Sequence, residues 1–218
     1  MTSASSATLN LQPVVEPQEE RRARPVFFDG LAGMYHAATG TTAVLLVSPW
    51  GFEELSSRTA YRLIGERLAA LGYPCLRFDL PGTGHSSGIS SEIDDEEAWR
   101  KATRAAFDHL QSLCNPREIV VIGQGPGGLL AGHLAQERPV GGLVLLAPAS
   151  QGRAYLREVA AWTAMTKPEF KVSSTDGPQG GLMSAGFVLS AATANELKRL
   201  KLLDAPPPQA RRTLLAKR

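Results

Sequence analysis

A glycine-rich turn near the middle of the chain is the segment whose residue types and spacing could carry chemistry. A β-branched run, residues 119–122, breaks at glycines and continues into an Ala/Leu-rich helix. Gly123, Gly125 and Gly128 have the G-x-G-x-x-G spacing that lets a dinucleotide pyrophosphate approach a helix N-terminus. The same turn also fits the nucleophile elbow G-x-S-x-G, whose serine forms a covalent intermediate, except that Gly125 stands in the place of the serine. The turn therefore predicts either FAD or NAD binding or an elbow without its nucleophile.

The composition is that of an ordinary globular domain. The 218 residues suffice for one sizeable domain, and 43% hydrophobic with 20% charged residues is a typical balance. Because 23 dispersed basic residues stand against 21 acidic ones, the net charge of +2 provides no basic surface for nucleic acid. Cys75 and Cys114 lie in or beside apolar stretches without C-x-x-C spacing, which predicts buried free thiols in a reducing compartment.

The first 24 residues are polar, with two prolines and a charge cluster, and predict a flexible N-terminal arm. Residues 1–10 have neither a basic region nor an apolar core, so they do not form a signal peptide. No apolar run approaches the roughly 20 residues that are needed to span a bilayer. These observations predict a cytoplasmic protein without a membrane span.

Strands that alternate with helices predict an α/β fold, in which a parallel sheet is covered by helices on both faces. The pattern begins with two short strands that join at Asp29 and Gly30, a common tight-turn pair. The elements that follow are a strand at 43–47, a helix at 57–71, a strand at 74–79, a helix after the acids at 94–97, a strand at 118–122, a helix to 137 and a strand at 142–147.

The pattern weakens in the last third of the chain. A helix is predicted at 153–165, a loop at 167–181, a strand at 182–190 and a short helix at 195–203. Residues 205–218 are proline-rich and then basic, and predict a tail. The predicted organisation is thus an arm at 1–24, one domain at 25–204 and a tail at 205–218.

The order of three loops resembles the α/β-hydrolase family over residues 25–200. Residues 48–52, Ser-Pro-Trp-Gly-Phe, follow the first buried strand, where that family has its oxyanion-hole loop; residues 77–86 look like its D-x-x-G-x-G-x-S loop; and the elbow comes third. More narrowly, residues 49–54, 77–87 and 152–158 are similar to bacterial serine-aminopeptidase-like hydrolases, and closest to those associated with the exosortase A system. The resemblance implies an α/β-hydrolase-like fold and a family activity of ester or amide hydrolysis.

The residues that such hydrolysis requires are missing, so no catalytic residue is predicted. Gly125 has no nucleophile, and Pro126 has no N–H to hold an oxyanion. The family's general base is a histidine that follows the elbow helix, and none of the four histidines does. The family also has two further strands after 142–147, and at most one is convincing here. The sheet is therefore predicted to lack its last strands, with an exposed edge unless a protein partner, a second copy or the tail covers it.

Two interpretations of function remain open. In the first, a non-catalytic protein binds a small molecule or protein in a pocket between Trp50-Gly51-Phe52 and Gln124-Gly125-Pro126, although Phe52 could equally pack in the core. In the second, the glycine turn binds FAD or NAD, but the next strand ends at 145–148 without the acid that would hold the ribose. The first interpretation is favoured, and it involves no cofactor. The histidines lack zinc-ligand spacing, so no metal site is predicted.

Two acidic positions beside these loops have simpler expectations. Glu53 and Glu54 could meet a cationic ligand group or serve as acids at a helix N-terminus. Asp79 ends a strand, and its carboxylate is expected to brace the turn that follows.

Overall fold

The polypeptide alternates strands and helices, as the hydrophobic pattern predicts. A computed structural model describes residues 23–165, 181–184, 187–203 and 206–216. The strands in these ranges are β1 (Arg24–Phe28), β2 (Leu31–His36), β3 (Thr42–Val47), β4 (Cys75–Phe78), β5 (Glu118–Gln124), β6 (Gly142–Leu146), β7 (Leu182–Ser184), β8 (Phe187–Leu189) and β9 (Thr213–Ala216). The helices are α1 (Phe52–Ala70), α2 (Ala98–Cys114), α3 (Pro126–Glu137), α4 (Gly152–Met165) and α5 (Ala191–Arg199).

Seven of these strands form one sheet in the order β1-β2-β4-β3-β5-β6-β9. β1 and β2 form the predicted hairpin, and Asp29 and Gly30 at its turn both have positive φ, 46° and 74°. β2 also pairs antiparallel with β4, whereas the other neighbouring strands of the sheet are parallel. The prediction of a mostly parallel sheet is confirmed.

Helices cover both faces of the sheet, as predicted. Leu45 at the centre of β3 aligns with Leu76 of β4 and Val121 of β5, and all three are fully buried because helices close the sheet from both sides. α1 covers one face, where Tyr61 packs with Val44, Leu46 and Cys75. α2 and α3 cover the opposite face, together with buried residues of α4 and α5.

A buried carboxylate attaches α5 to α2. Glu196 is 0% exposed and accepts hydrogen bonds from the backbone N–H groups of Trp99 (3.0 Å) and Arg100 (2.7 Å) in the first turn of α2. Burial raises the pKa of Glu196, and the hydrogen bonds oppose that rise. α2 therefore receives its N-terminal cap from a distant helix, which fixes the C-terminal half of the domain over the sheet.

The C-terminal segment differs from the sequence expectation. Residues 205–218 are predicted as a tail outside the domain, but Thr213–Ala216 form β9 and pair in parallel with β6. The segment before β9 is also anchored, because the Gln209 N–H donates to the Ala135 carbonyl at 2.6 Å. The edge of β6 is thus covered by the tail, one of the alternatives that the sequence left open. β9 now forms the edge of the sheet, and its four side chains are exposed, including Leu214 and Leu215 on its two faces.

The strand predicted at 182–190 forms a separate two-stranded hairpin of β7 and β8 instead of joining the large sheet. The loop predicted at 167–181 lies almost entirely outside the described residues, as does the N-terminal arm up to residue 22. Arg24, the last residue of that arm, begins β1.

Two smaller expectations concern the cysteines and the membrane. Both cysteines are free thiols; Cys75 is buried in β4 and Cys114 is half-buried at the end of α2. Burial raises the pKa of the Cys75 thiol to about 12, so it stays protonated and unreactive at neutral pH. None of the described helices has the length and apolar character to cross a membrane.

Candidate functional site

The glycine turn is a sharp strand–turn–helix junction between β5 and α3. Gly125, at the tip, has φ 53° and ψ −121°, a conformation that is strained for residues with a side chain. Gly127 sits against the loop after β3: a Cβ at that position would lie 2.4 Å from the backbone carbonyl oxygens of Val47 and Ser48. The glycines thus let the first turn of α3 contact the end of β3. The turn has the geometry of a nucleophile elbow with no side chain at its tip.

The carboxylate of Glu53 occupies the position of the missing nucleophile. A Cβ built on Gly125 would lie 2.6 Å from Glu53 Oε2 and 3.8 Å from Pro49 Cβ. Glu53 reaches this position because α1 begins at Phe52, five residues before the predicted start at residue 57, and Glu53 lies in its first turn. Both sequence expectations for Glu53 concern charge; the structure adds that this charge is directed at the elbow.

The donor that would stabilise an oxyanion is absent from the elbow. Pro126 occupies the first turn of α3, where its ring suits the helix but provides no N–H. Removing one such donor from a serine hydrolase typically costs about 10² to 10³ in rate. The negative charge of Glu53 beside Gly125 would disfavour an oxyanion further. The elbow of this chain therefore has no side chain at its tip and no N–H at residue 126.

The six predicted pocket residues do not line one common pocket. Trp50 and Gly51 line a cavity of about 330 Å³, together with the turn at residues 82–84 and part of β8. Trp50 is 3% exposed and its ring meets that of Phe187 edge-on, with centroids 6.1 Å apart. Gly125 lines a different and larger cavity. Of the loop that carries Trp50, Pro49 comes near Gly125, as does Glu53 at the start of α1.

The other predicted pocket residues line neither of these cavities. Phe52, for which core packing and pocket lining were the alternatives, is 69% exposed, because it begins α1 and directs its ring outward. Pro126 is buried at the start of α3, and Gln124 is half-buried at the end of β5.

The larger cavity, of about 700 Å³, has a mostly apolar wall and reaches Gly125 at one end. Its apolar lining includes Leu143, Leu145, Tyr155, Leu202, Leu203 and Leu215. The sequence does not predict this wall, which is built by β6, β9 and the residues after α5. β6 was expected to be an edge strand, β9 was expected to be part of a tail, and the residues after α5 were expected to be the end of a helix. The signal in the sequence was two Leu pairs, 202–203 and 214–215, within otherwise polar or basic segments.

The loop after β4 has a structural role. Asp79 Oδ2 accepts a hydrogen bond from the His85 backbone N–H at 2.9 Å, so this carboxylate braces the turn, as expected. Ser86 Oγ donates to the Asp79 carbonyl (2.6 Å) and accepts from the Ala32 N–H (3.0 Å). These bonds hold the loop against β2 and engage the Ser86 hydroxyl. In the part of the chain that the structure describes, no three His, Cys, Asp or Glu side chains gather as metal ligands would.

The strand order, the antiparallel second strand and the elbow after β5 define the α/β-hydrolase fold. An esterase of Pyrococcus furiosus superposes with a TM-score of 0.56 at 20% sequence identity, over 78% of this chain and 64% of that chain. A lidless α/β serine hydrolase of Xanthomonas campestris gives a TM-score of 0.50 at 16% identity, over 59% of this chain and 62% of that chain. At these identities the likeness concerns the fold.

Sequence comparison identifies the family. Residues 41–200 match the family described as "Serine aminopeptidase, S33", and the protein belongs to it. The mitochondrial palmitoyl-protein thioesterase ABHD10 of Pongo abelii is 31% identical over 116 residues, which are 53% of this chain and 36% of that protein. The human protein of the same name is 31% identical over 105 residues, 48% of this chain and 32% of its own length. The chain thus aligns with about a third of these relatives.

The dinucleotide alternative gains no support from these matches, and the geometry disfavours it. The Glu53 carboxylate beside Gly125 would repel a pyrophosphate. The family that the chain matches consists of hydrolases, in which the turn after this strand is the nucleophile elbow.

Proposed function

We propose that this protein is a non-hydrolytic member of its family, which binds an apolar small molecule in the cavity beside Gly125. The observation that carries the proposal is the elbow, where the Glu53 carboxylate fills the nucleophile position and Pro126 removes the oxyanion donor. These two features are independent of each other.

The cavity supports an acyl or similarly apolar ligand. Its volume of about 700 Å³ lies within the roughly 300–1,000 Å³ of small-molecule sites, and leucines from three segments dominate its wall. The curated relatives are named as palmitoyl-protein thioesterases, which by that name act on a long acyl chain. Retention of the acyl-binding surface without the acyl-transfer chemistry fits both observations.

We also propose an associated cellular system, a compartment and a partner for this protein. The similarity at residues 49–54, 77–87 and 152–158 favours a role beside the exosortase A system. We place the protein in the cytoplasm. The exposed edge strand β9, which carries Leu214 and Leu215 on its two faces, favours a protein partner or a second copy of the chain at that edge.

Ester hydrolysis tests the absence of catalysis. Purified protein is incubated with short p-nitrophenyl esters beside a buffer blank and the variants Gly125→Ser and Gly125→Ser/Glu53→Ala. We expect the native protein to match the blank, because no nucleophile stands at the elbow. Native turnover well above the blank that disappears when the protein is unfolded would refute the proposal.

Binding of a dansyl-labelled fatty acid tests the cavity. Leu215 lines it, whereas its neighbour Leu214 points to the other side of β9 and does not. Leu215→Gln is expected to weaken binding about tenfold, because a polar amide replaces apolar lining worth roughly 1–2 kcal/mol. Leu214→Gln is the matched control and leaves the Kd unchanged. Equal effects of the two substitutions would place the ligand elsewhere.

A further inference from the structure

A third cavity, of about 510 Å³, lies between the β1–β2 hairpin and α1, and Gly125 is not part of its lining. Its charged lining consists of Arg58 and Arg62 of α1, Arg77 of β4 and one carboxylate, that of Asp79; His85 also lines it. The proposed binding site and this cavity therefore lie in different parts of the molecule. Three guanidinium groups beside one cavity are unusual, since like charges repel when they are partly removed from water.

The three arginines differ in how their charge is balanced. Arg58 Nε donates to Glu54 Oε1 at 2.8 Å on the same helix. Arg62 Nη1 donates to Glu66 Oε1 at 2.7 Å. Both pairs are helical i,i+4 pairs on the exposed side of α1.

Arg77 has no such partner. No hydrogen bond or ion pair joins the Arg77 guanidinium to another of the described residues, and its Nε is buried. Asp79 is two residues away, but its Oδ2 already accepts the His85 N–H at 2.9 Å. Burial lowers the pKa of Arg77, and the positive charges of Arg58 and Arg62 lower it further, against the opposing effect of Asp79.

A guanidinium with a buried, unsatisfied N–H is costly, because buried charges in proteins are paired and buried donors are hydrogen-bonded. Carboxylates and phosphates match the planar donors of arginine better than any other anionic group. The other wall of the cavity contains Pro25, Phe27 and Met34, which are apolar. The site thus presents a cationic end and an apolar side to the same ligand.

We propose that this cavity binds a small organic anion, whose carboxylate or phosphate group pairs with Arg77 and whose apolar body lies against Phe27 and Met34. This site is additional to the cavity beside Gly125 and does not depend on that proposal. Arg58 and Arg62 add positive potential at its mouth. Arg77 provides the directed hydrogen bonds.

Benzoate and phenyl phosphate test the proposal and distinguish the two anionic groups, with benzyl alcohol as the neutral comparator. The Arg77 Nε–H resonance is followed by ¹⁵N NMR in the native protein during each titration. We expect saturable shifts with at least one anion and none with benzyl alcohol. The larger response identifies carboxylate or phosphate as the preferred group. Absence of any shift at millimolar anion would overturn the proposal, without recourse to a variant.

Arg77→Met and Arg67→Gln provide the second test, because Arg67 is an exposed arginine of α1 outside the cavity lining. Arg77→Met is expected to weaken anion binding at least tenfold and to keep or raise the melting temperature of the unliganded protein, since it removes an unpaired charge. Arg67→Gln keeps native binding. A marked loss of stability in Arg77→Met, with anion binding retained, would show that Arg77 is structural.

Discussion

Glu196 and Glu53 each place a carboxylate at the N-terminus of a helix, but the two helices meet that charge differently. α2 offers Glu196 two backbone N–H groups, and the carboxylate is enclosed with them. α3 begins with Pro126, so the carboxylate of Glu53 lies beside Gly125 at a helix whose first residue has no N–H. The Glu196 carboxylate stabilises the fold. The Glu53 carboxylate lies where the nucleophile of the family would stand, so replacing Glu53 should change the elbow more than the fold.

Glu196→Ala is the substitution for which we expect the largest effect on stability. The substitution leaves two buried N–H groups unsatisfied and Arg100 without its buried partner, so we expect a loss of about 3 kcal/mol in the free energy of unfolding. Urea denaturation measures it. Lys198→Ala, an exposed position on the same helix, is the control and should change stability by less than about 0.5 kcal/mol. Similar values for the two variants would remove the stabilising role assigned to Glu196.

A double-mutant cycle between Gly125 and Glu53 tests whether the Glu53 carboxylate occupies the nucleophile position. Gly125→Ser should cost about 2 kcal/mol, because φ 53° with ψ −121° strains a residue with a Cβ and that Cβ meets Glu53 Oε2. Glu53→Ala removes the clash, so the double variant should recover about 1 kcal/mol relative to the sum of the single changes. Strict additivity in urea denaturation would mean that Glu53 does not occupy the nucleophile position.

His36 provides a smaller test, since it is a buried titratable group that receives no compensating hydrogen bond. It is 0% exposed, both ring nitrogens lack a partner among the described residues, and a Cβ on Gly65 of α1 would lie 2.7 Å from its Nε2. Burial lowers the pKa of His36; the positive charge of Arg77 lowers it further, and Glu66 opposes this. Unlike the Glu196 carboxylate, the His36 ring forms no hydrogen bond with the backbone of the described residues.

The sign of the pH effect follows from that shift. The pKa of folded His36 lies below the unfolded value of about 6.5, so the unfolded state binds the proton first as the pH falls. Stability should be complete above about pH 6.5 and decline below it, by less than about 1.4 kcal/mol per pH unit for one group. His36→Asn should flatten this decline, whereas the exposed control His85→Asn should not. An unchanged pH profile in His36→Asn would exclude His36 as the source.

Much of the fold can be predicted from the sequence, because the patterns that indicate its strands, helices and turns lie within short segments. Apolar runs such as that of β3 and the glycine turn after β5 predict buried strands and a strand–turn–helix junction, which the structure confirms. β9 was missed for physical reasons. Four residues after a proline run and two arginines carry almost no periodicity, and their strand conformation depends on the edge of β6.

The site was predicted only in part, because its decisive contact is tertiary. Gly125 and Pro126 can be interpreted from the sequence alone, since what matters is the side chain and the N–H they lack. The approach of Glu53 depends on where α1 starts and on how close that start lies to the turn at Gly125. Those features join residues that are far apart in the chain, and no spacing rule covers them.

The pairing of β9 with β6 has a consequence for the order in which the molecule folds and opens. The β1–β2 hairpin joins Phe28 to Leu31 across one turn, whereas Leu143 pairs with Thr213 only after a long stretch of chain has closed. Closing a long loop costs more entropy than closing a short one. Packing of β9 offsets little of this cost, because its four side chains remain exposed. β9 is therefore among the last strands to dock and the first to detach. The cavity wall that contains Leu215 consequently opens by local unfolding, at a free energy well below that of the whole domain.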